Sequence, residues 1–123
     1  MPEKGLKYVA RTTVGADNTA LAMGSGDMEV FATPAMVALM EHAARYAVAA
    51  GLPEGSTTVG ASMETTHVRP SAVGAVIAAE AELVETEGRR LTFRVAAFDG
   101  EALIGEGTHV RYIVDRAKFL SKL

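Results

Sequence analysis

The stretch VFATPAMVALMEHAARYAVAA at 30–50 constrains this chain more than any other. Thr33-Pro34 reads as a helix start, because a threonine hydroxyl caps free N–H groups and proline fits the first helical position, where no donor is needed. Beyond that start the run is apolar almost all round: Met36, Val37, Leu39, Met40, Ala43, Ala44, Ala47 and Val48. A helix with so little polar surface is normally buried, and its alanines admit something wrapped closely around it. Gly51 and Pro53 end it. Glu41 stands in the middle of this apolar run, and a buried carboxylate requires a partner, a site or a proton.

The rest of the chain supplies the wrapping. A strand is expected at 7–14, with Tyr8, Ala10, Thr12 and Val14 on one face. The segment 15–27 is rich in glycine and small residues and reads as a loop with one helical turn at 19–23. Its length, just before a capped helix, fits either a lid over a site or plain connection. After the helix the period changes to two. Residues 57–68 place Val59, Ala61, Met63, Thr65 and His67 on one face, and Arg69-Pro70 breaks the run. The segment 75–86 alternates again, with Ile77, Ala79, Ala81 and Leu83 inward. Gly88 turns the chain into an inner row of Leu91, Phe93, Val95 and Ala97. Asp99-Gly100 is a strong hairpin signal. A last strand at 102–114 carries Gly105 and Gly107 on one face, where glycine marks a bulge or a close backbone approach.

Strand, loop, apolar helix and then four strands on short connections predict an α+β layer, its antiparallel sheet of about five strands curled around the central helix. That is the hot dog fold. With 123 residues and no internal repeat or linker, one domain over 1–123 is expected.

Composition removes whole classes of function. Without cysteine there are no disulfides, thiolate metal sites or cysteine nucleophiles. A net charge of −3 with interspersed signs leaves no electrostatic footprint for nucleic acid. No apolar run has membrane-spanning length and the opening MPEKGLKYVA lacks a signal-peptide core, so a soluble, cytoplasmic protein is expected. The final Ser121-Lys122-Leu123 spells a peroxisomal address. Residues 118–123 read equally well as an amphipathic tail, and no targeting is assigned to them.

Few residues remain for chemistry. His67 sits near a strand end, where side chains reach clefts, and can exchange a proton near neutral pH. On the sequence pattern alone, the reading as a core histidine satisfied by a backbone carbonyl comes first. Thr33 taken singly is a helix cap. Glu41 is harder to explain by structure alone. His42 points about 100° away from Glu41 around the helix and reads as structural. His109 shares a strand face with Gly105, Gly107 and Arg111 and reads as structural or supporting.

Four segments together are more telling: VFATPAMVALMEHA at 30–43, VGASMETTHVRPSAVG at 59–74, EGRRLTFRVAAFDG at 87–100 and IGEGTHVRYIV at 104–114, followed by KF at 118–119. The chain resembles the fluoroacetyl-CoA thioesterase-like group of hot dog thioesterases, with spacing held from Thr33 to Arg111. The resemblance implies hydrolysis of an acyl-CoA thioester to free acid and CoA. It places the catalytic threonine, glutamate and histidine on Thr33, Glu41 and His67. It also places the glycine whose N–H faces the acyl thioester on Gly60, and the arginine of the GTHxR segment, in a substrate-side role, on Arg111. Where a member of the family has glycine after the threonine this chain has Pro34, so that position offers no N–H to an oxyanion. The segment before residue 30 matches poorly, and no acyl preference is transferred.

These residue types suit the reaction, which requires an activated water or nucleophile, a proton shuttle and oxyanion donors. Glu41 activates water or attacks the carbonyl, His67 supplies a proton to the departing thiolate, and Thr33 orients a reacting group or attacks. Eight residues of helix separate Thr33 from Glu41 by about 12 Å, so the substrate lies between them or two chains build the site. Since hot dog domains generally pair through an extended sheet, a homodimer is expected, with tetramers left open. Arg69, Arg111, Arg116 and Lys118 are candidates for the CoA phosphates. CoA enters as part of the substrate, and no cofactor, metal, nucleic acid or membrane partner is expected. Two alternatives remain: an acyl-CoA hydratase or dehydratase on the same fold, and a non-catalytic acyl-CoA-binding dimer.

Overall fold

A computed structural model describes residues 2–123. The elements run β1 (Lys7–Thr13), α1 (Ala20–Met23), α2 (Thr33–Ala49), β2 (Ser56–Thr65), β3 (Val76–Glu87), β4 (Arg90–Asp99), β5 (Ala102–Asp115) and α3 (Arg116–Ser121). All five strands form one antiparallel sheet in the order β1-β3-β4-β5-β2. The sheet curls over α2 in the hot dog arrangement the patterning predicts.

The core forms where two periodicities meet. The inward rows Ile77, Ala79, Ala81 and Leu83 of β3 and Leu91, Phe93, Val95 and Ala97 of β4 are fully buried, as their alternation requires. Against them α2 lays Met36, Met40, Ala43, Ala44 and Val48. Each large side chain removed from water here stabilises the fold by about 1.5–3 kcal/mol. The alanines let the sheet come close. At the β4–β5 hairpin Gly100 takes φ 62°, the left-handed conformation expected from Asp99-Gly100.

Three expectations are corrected. First, the helix is not buried all round in a single chain. Only one stripe is sealed, while His42, Arg45 and Tyr46 are exposed, and Tyr46 stacks on Tyr8 and His42. Second, the meander holds only for β3–β5. β2 crosses to the far edge beside β5, and the segment 66–75 carries the chain back across the end of the sheet, pinned by Val68 N–H to Ile104 O at 2.7 Å and Phe31 N–H to Ser71 O at 3.0 Å. Arg69-Pro70, the expected break, lies within that crossing. Third, β2 does not keep one phase. A bulge between Gly60 and Ser62 shifts its register on β5, so Thr58 and Gly60 face the helix before it and Met63 after it.

The loop 15–27 is tied down rather than open. Thr19 caps α1, pairs with Phe31 in an isolated bridge, and Ala32 N–H donates to Asn18 O at 2.9 Å. Among the described residues no helix is long and apolar enough to cross a membrane.

Candidate active site

The helix start does not work as the sequence suggests. The N-cap is Ala32, with no side-chain cap, and Thr33 is already helical. Its hydroxyl is therefore free to reach elsewhere, and it meets His67 Nδ1 at 2.7 Å. Two segments far apart in the chain converge there: the first turn of α2 and the crossing that leaves β2. Phe31, fully buried, sets its ring edge-on against the imidazole at 6.4 Å. Burial pushes the His67 pKa below its ordinary value, and the nearby Arg69 backbone partly offsets this. Nε2 is enclosed and has no hydrogen-bond partner among the described residues. A cavity of about 280 Å³ opens here, lined by Thr33, His67, Phe31 and Arg69 together with Ala20 and Ser25 of the loop.

Two turns along α2 a second cluster forms. Glu41 Oε2 lies 3.2 Å from Arg111 Nη1, whose guanidinium also donates from Nε to Thr58 Oγ1 at 2.8 Å and from Nη2 to Thr58 O at 2.9 Å. The arginine is nearly sealed, so its charge is balanced by this carboxylate and these acceptors. Gly60 belongs to the same cluster for a steric reason. A Cβ at that position would stand 2.5 Å from Glu41 Oε2 and 3.4 Å from Arg111 Nη1, and no side chain can occupy that gap while the carboxylate stays where it is.

His109 completes the group. Its side chain is 1% exposed, and Nδ1 lies 2.7 Å from Ser62 O. A carbonyl only accepts, so Nδ1 carries the proton and Nε2 is left as an acceptor. Arg111 Nη1 donates to it from 3.2 Å. Burial, more than any charge, lowers the His109 pKa and keeps the ring neutral. His109 thus clamps the guanidinium from behind while Glu41 takes its front. Its place on one strand face with Arg111 is legible in the sequence, but its partners are not, since Ser62 arrives from a strand whose position only the fold reveals.

All six expected site residues can now be placed. Thr33, His67 and Arg69 share the cavity at the helix start, and Glu41, Gly60 and Arg111 share the cluster over mid-helix. Within one chain the two sets remain distinct. Glu41, expected to be buried, has a side chain 43% exposed, because α2 turns this flank away from its own sheet's sealed core. The close approaches forecast for the glycines of β5 are present: a Cβ at Gly105 would strike Thr66 O, and one at Gly107 would strike Glu64 O.

Residues 14–117 match the family model of the fluoroacetyl-CoA-specific thioesterase FlK. The fluoroacetyl-CoA thioesterase of Streptantibioticus cattleyicolor is 43% identical over 95 residues, spanning 77% of this chain and 68% of that protein. The crystal structure of FlK superposes with a TM-score of 0.92 at 34% identity, covering 99% of this chain and 95% of that one. FlK carrying a phenylalanine-to-alanine change has been crystallised with fluoroacetate and CoA, and matches with a TM-score of 0.89 at 35% identity over 96% of this chain and 99% of that one. A Thermus thermophilus hypothetical protein, a thioesterase superfamily member, matches with a TM-score of 0.89 at 30% identity over 98% and 89% of the two chains. A family match spanning most of the chain, on the hot dog fold, means that this protein belongs to the fluoroacetyl-CoA-specific thioesterase family.

Proposed function

We propose that this protein hydrolyses a short acyl-CoA thioester, fluoroacetyl-CoA being the first substrate to test, and that Thr33, Glu41 and His67 are its catalytic set. The observation that carries this reading is the pairing of two half-sites, a hydroxyl–imidazole pair and a carboxylate held on a buried arginine, neither sufficient alone. Glu41 activates water or attacks the carbonyl carbon. His67, neutral because burial disfavours its charged form, shuttles the proton to the departing thiolate. Thr33 orients the reacting group through its bond to Nδ1. The Gly60 N–H and Arg111 are suited to stabilise negative charge on the thioester oxygen.

The site is assembled from two copies of this chain. β2 is an edge strand of ten residues, and an unpaired edge of that length invites another strand. Antiparallel pairing of β2 with itself about a central two-fold lays the Thr65 end of one strand beside the Ser56 end of the other. It brings Thr33 and His67 of one protomer toward the partner's Glu41 and Gly60, across a gap that a single helix leaves at about 12 Å. It also covers the exposed flank of Glu41.

A thiol-release assay on fluoroacetyl-, acetyl- and longer acyl-CoAs tests the reaction, and mixing two inactive variants tests the assembly. Glu41→Ala and His67→Ala chains, unfolded and refolded together, regain about one quarter of wild-type activity if each site draws on both protomers, since half the dimers are mixed and each mixed dimer has one intact site. No recovery in mixed dimers places each site within one chain. Water addition to an enoyl-CoA without thiol release would replace the hydrolase reading with a hydratase.

A further inference from the structure

The hydrolysis proposed above gives a part to Glu41 and to Arg111 but none to His109, the third titratable group of their cluster. Burying an imidazole costs free energy that an aliphatic side chain of similar size would not incur. This one is sealed beside the Phe93 ring, with centroids 6.1 Å apart, and beneath Gly60, where a Cβ would stand 3.5 Å from its Cε1. Packing alone does not call for an imidazole in that place. Its two nitrogens do, because each has a different partner.

The partner of Nδ1 is supplied by an irregularity of β2. Gly60 pairs with Arg111 and Ser62 with Val110, so Ala61 stands unopposed between them. Carbonyls of a regular ladder lie in the sheet and face a neighbouring strand. An extra residue disrupts the ladder and bends the strand, and Ser62 O is turned onto the His109 ring, 2.7 Å from Nδ1. The bulge therefore has a chemical consequence: it draws the ring proton to Nδ1 and keeps the Nε2 lone pair for Arg111.

The other end of this chain of contacts is the carboxylate. Arg111 Nη1 donates to His109 Nε2 and to Glu41 Oε2, each at 3.2 Å, which commits both of its hydrogens. Nε and Nη2 rest on Thr58 at 2.8 and 2.9 Å. Thr58 thus anchors one edge of the guanidinium plane, and His109 pins the opposite corner, the one that carries Glu41. Among the described residues Glu41 has no other hydrogen bond from its side chain, which is 43% exposed.

We propose that His109 is a positioning residue for the hydrolysis: it fixes the Arg111 guanidinium and, through Nη1, sets the Glu41 carboxylate in the attitude from which it acts. The assignment rests on the reading of Glu41 as base or nucleophile. It adds what holds that carboxylate on the reaction path, and it gives the bulge in β2 a function. Displacing a reacting group by about 1 Å costs up to about 10²-fold in rate, so a hold of this kind is read in turnover.

His109→Leu keeps the packing and removes both hydrogen bonds. Its kcat for an acyl-CoA falls by about 10–100-fold while KM changes little. An unchanged kcat overturns the assignment. His109→Gln restores most of the loss, because its amide oxygen reaches Nη1, whereas the shorter His109→Asn reaches only Ser62 O and does not. Equal kcat in the two amide variants overturns the assignment too, and this pair decides if the leucine chain does not fold. In an Arg111→Gln chain the added His109→Leu change costs no further activity, since what His109 holds is already gone; losses that multiply mean that His109 acts through packing alone. Nitrogen-15 NMR provides a readout independent of turnover. The proton of His109 is found on Nδ1, and the Nη1 and Nη2 signals of Arg111 exchange more slowly in the wild type than in the leucine variant. A proton on Nε2, or equal exchange in the two chains, overturns the hold. If the wild type releases thiol from no acyl-CoA, the hydrolase reading fails, and the Arg111 spectra alone decide whether His109 fixes the guanidinium.

Discussion

The two half-sites are built on opposite plans. Around Glu41 each strong donor is already engaged: Arg111 binds Thr58 twice, Glu41 once and His109 once, and His109 is locked by Ser62. Around His67 one side-chain hydrogen bond, to Thr33, and the edge of Phe31 hold the ring, and the enclosed Nε2 has no hydrogen-bond partner among the described residues. The first is a rigid electrostatic frame with an exposed carboxylate at its rim. The second is an imidazole held on one side at a cavity wall. Rigidity suits charge stabilisation, which gains from donors already aimed, and a free ring nitrogen suits proton transfer.

If this division is right, Glu41→Gln has the largest effect. The amide keeps the shape and can still accept from Arg111, yet it can neither attack nor take a proton, so kcat falls by about 10²–10⁴-fold, with a lower melting temperature because the nearly sealed guanidinium loses its countercharge. A variant retaining most of its activity would remove Glu41 from the chemistry. Gly60→Ala sharpens the same half. The added methyl displaces the flexible end of Glu41 rather than backbone. kcat/KM therefore drops by about 10–100-fold, while stability falls by no more than about 1–3 kcal/mol. Urea unfolding beside steady-state kinetics separates the two. A large stability loss with proportionate activity would show that the site tolerates the shift.

The smallest effect concerns His109 and is read from pH. Its folded pKa lies below the ordinary 6.5, so as pH drops below that value the unfolded chain takes up a proton that the folded chain refuses. Stability then declines with acidification, from about 6.5 downward to the folded pKa. His67 is lowered too and adds to the same slope. His109→Gln removes one of the two contributions, so a plot of melting temperature against pH becomes flatter on its acid side. An unchanged slope would mean that His109 is not held neutral by its burial and its bond to Ser62.

Much of the architecture can be read directly from spacing. The rows of β3 and β4 and the hairpin at Gly100 follow from alternation and turn chemistry, because each depends only on near neighbours. β2 resists the same treatment. Its alternation continues through the bulge, so sequence places Val59 inward where Thr58 and Gly60 belong, and nothing local says that it crosses to the edge beside β5. Thr33 shows a related limit: threonine before proline is a good cap by propensity, but the helix starts one residue earlier and the hydroxyl pairs with an imidazole 34 residues later. Glu41, set in an apolar run, looks buried from sequence, yet the flank that carries it faces outward from the single chain.

By itself the sequence determined the element types, the apolar face of the helix and the residue kinds available for chemistry, all set by periodicity and short-range sterics. Only the tertiary structure decided which of them meet. Strand order, the bulge in β2 and the course of the 66–75 crossing bring Ser62 to His109, Arg111 to Glu41 and His67 to Thr33. Such contacts depend on how distant segments pack together, and no window of neighbouring residues contains them.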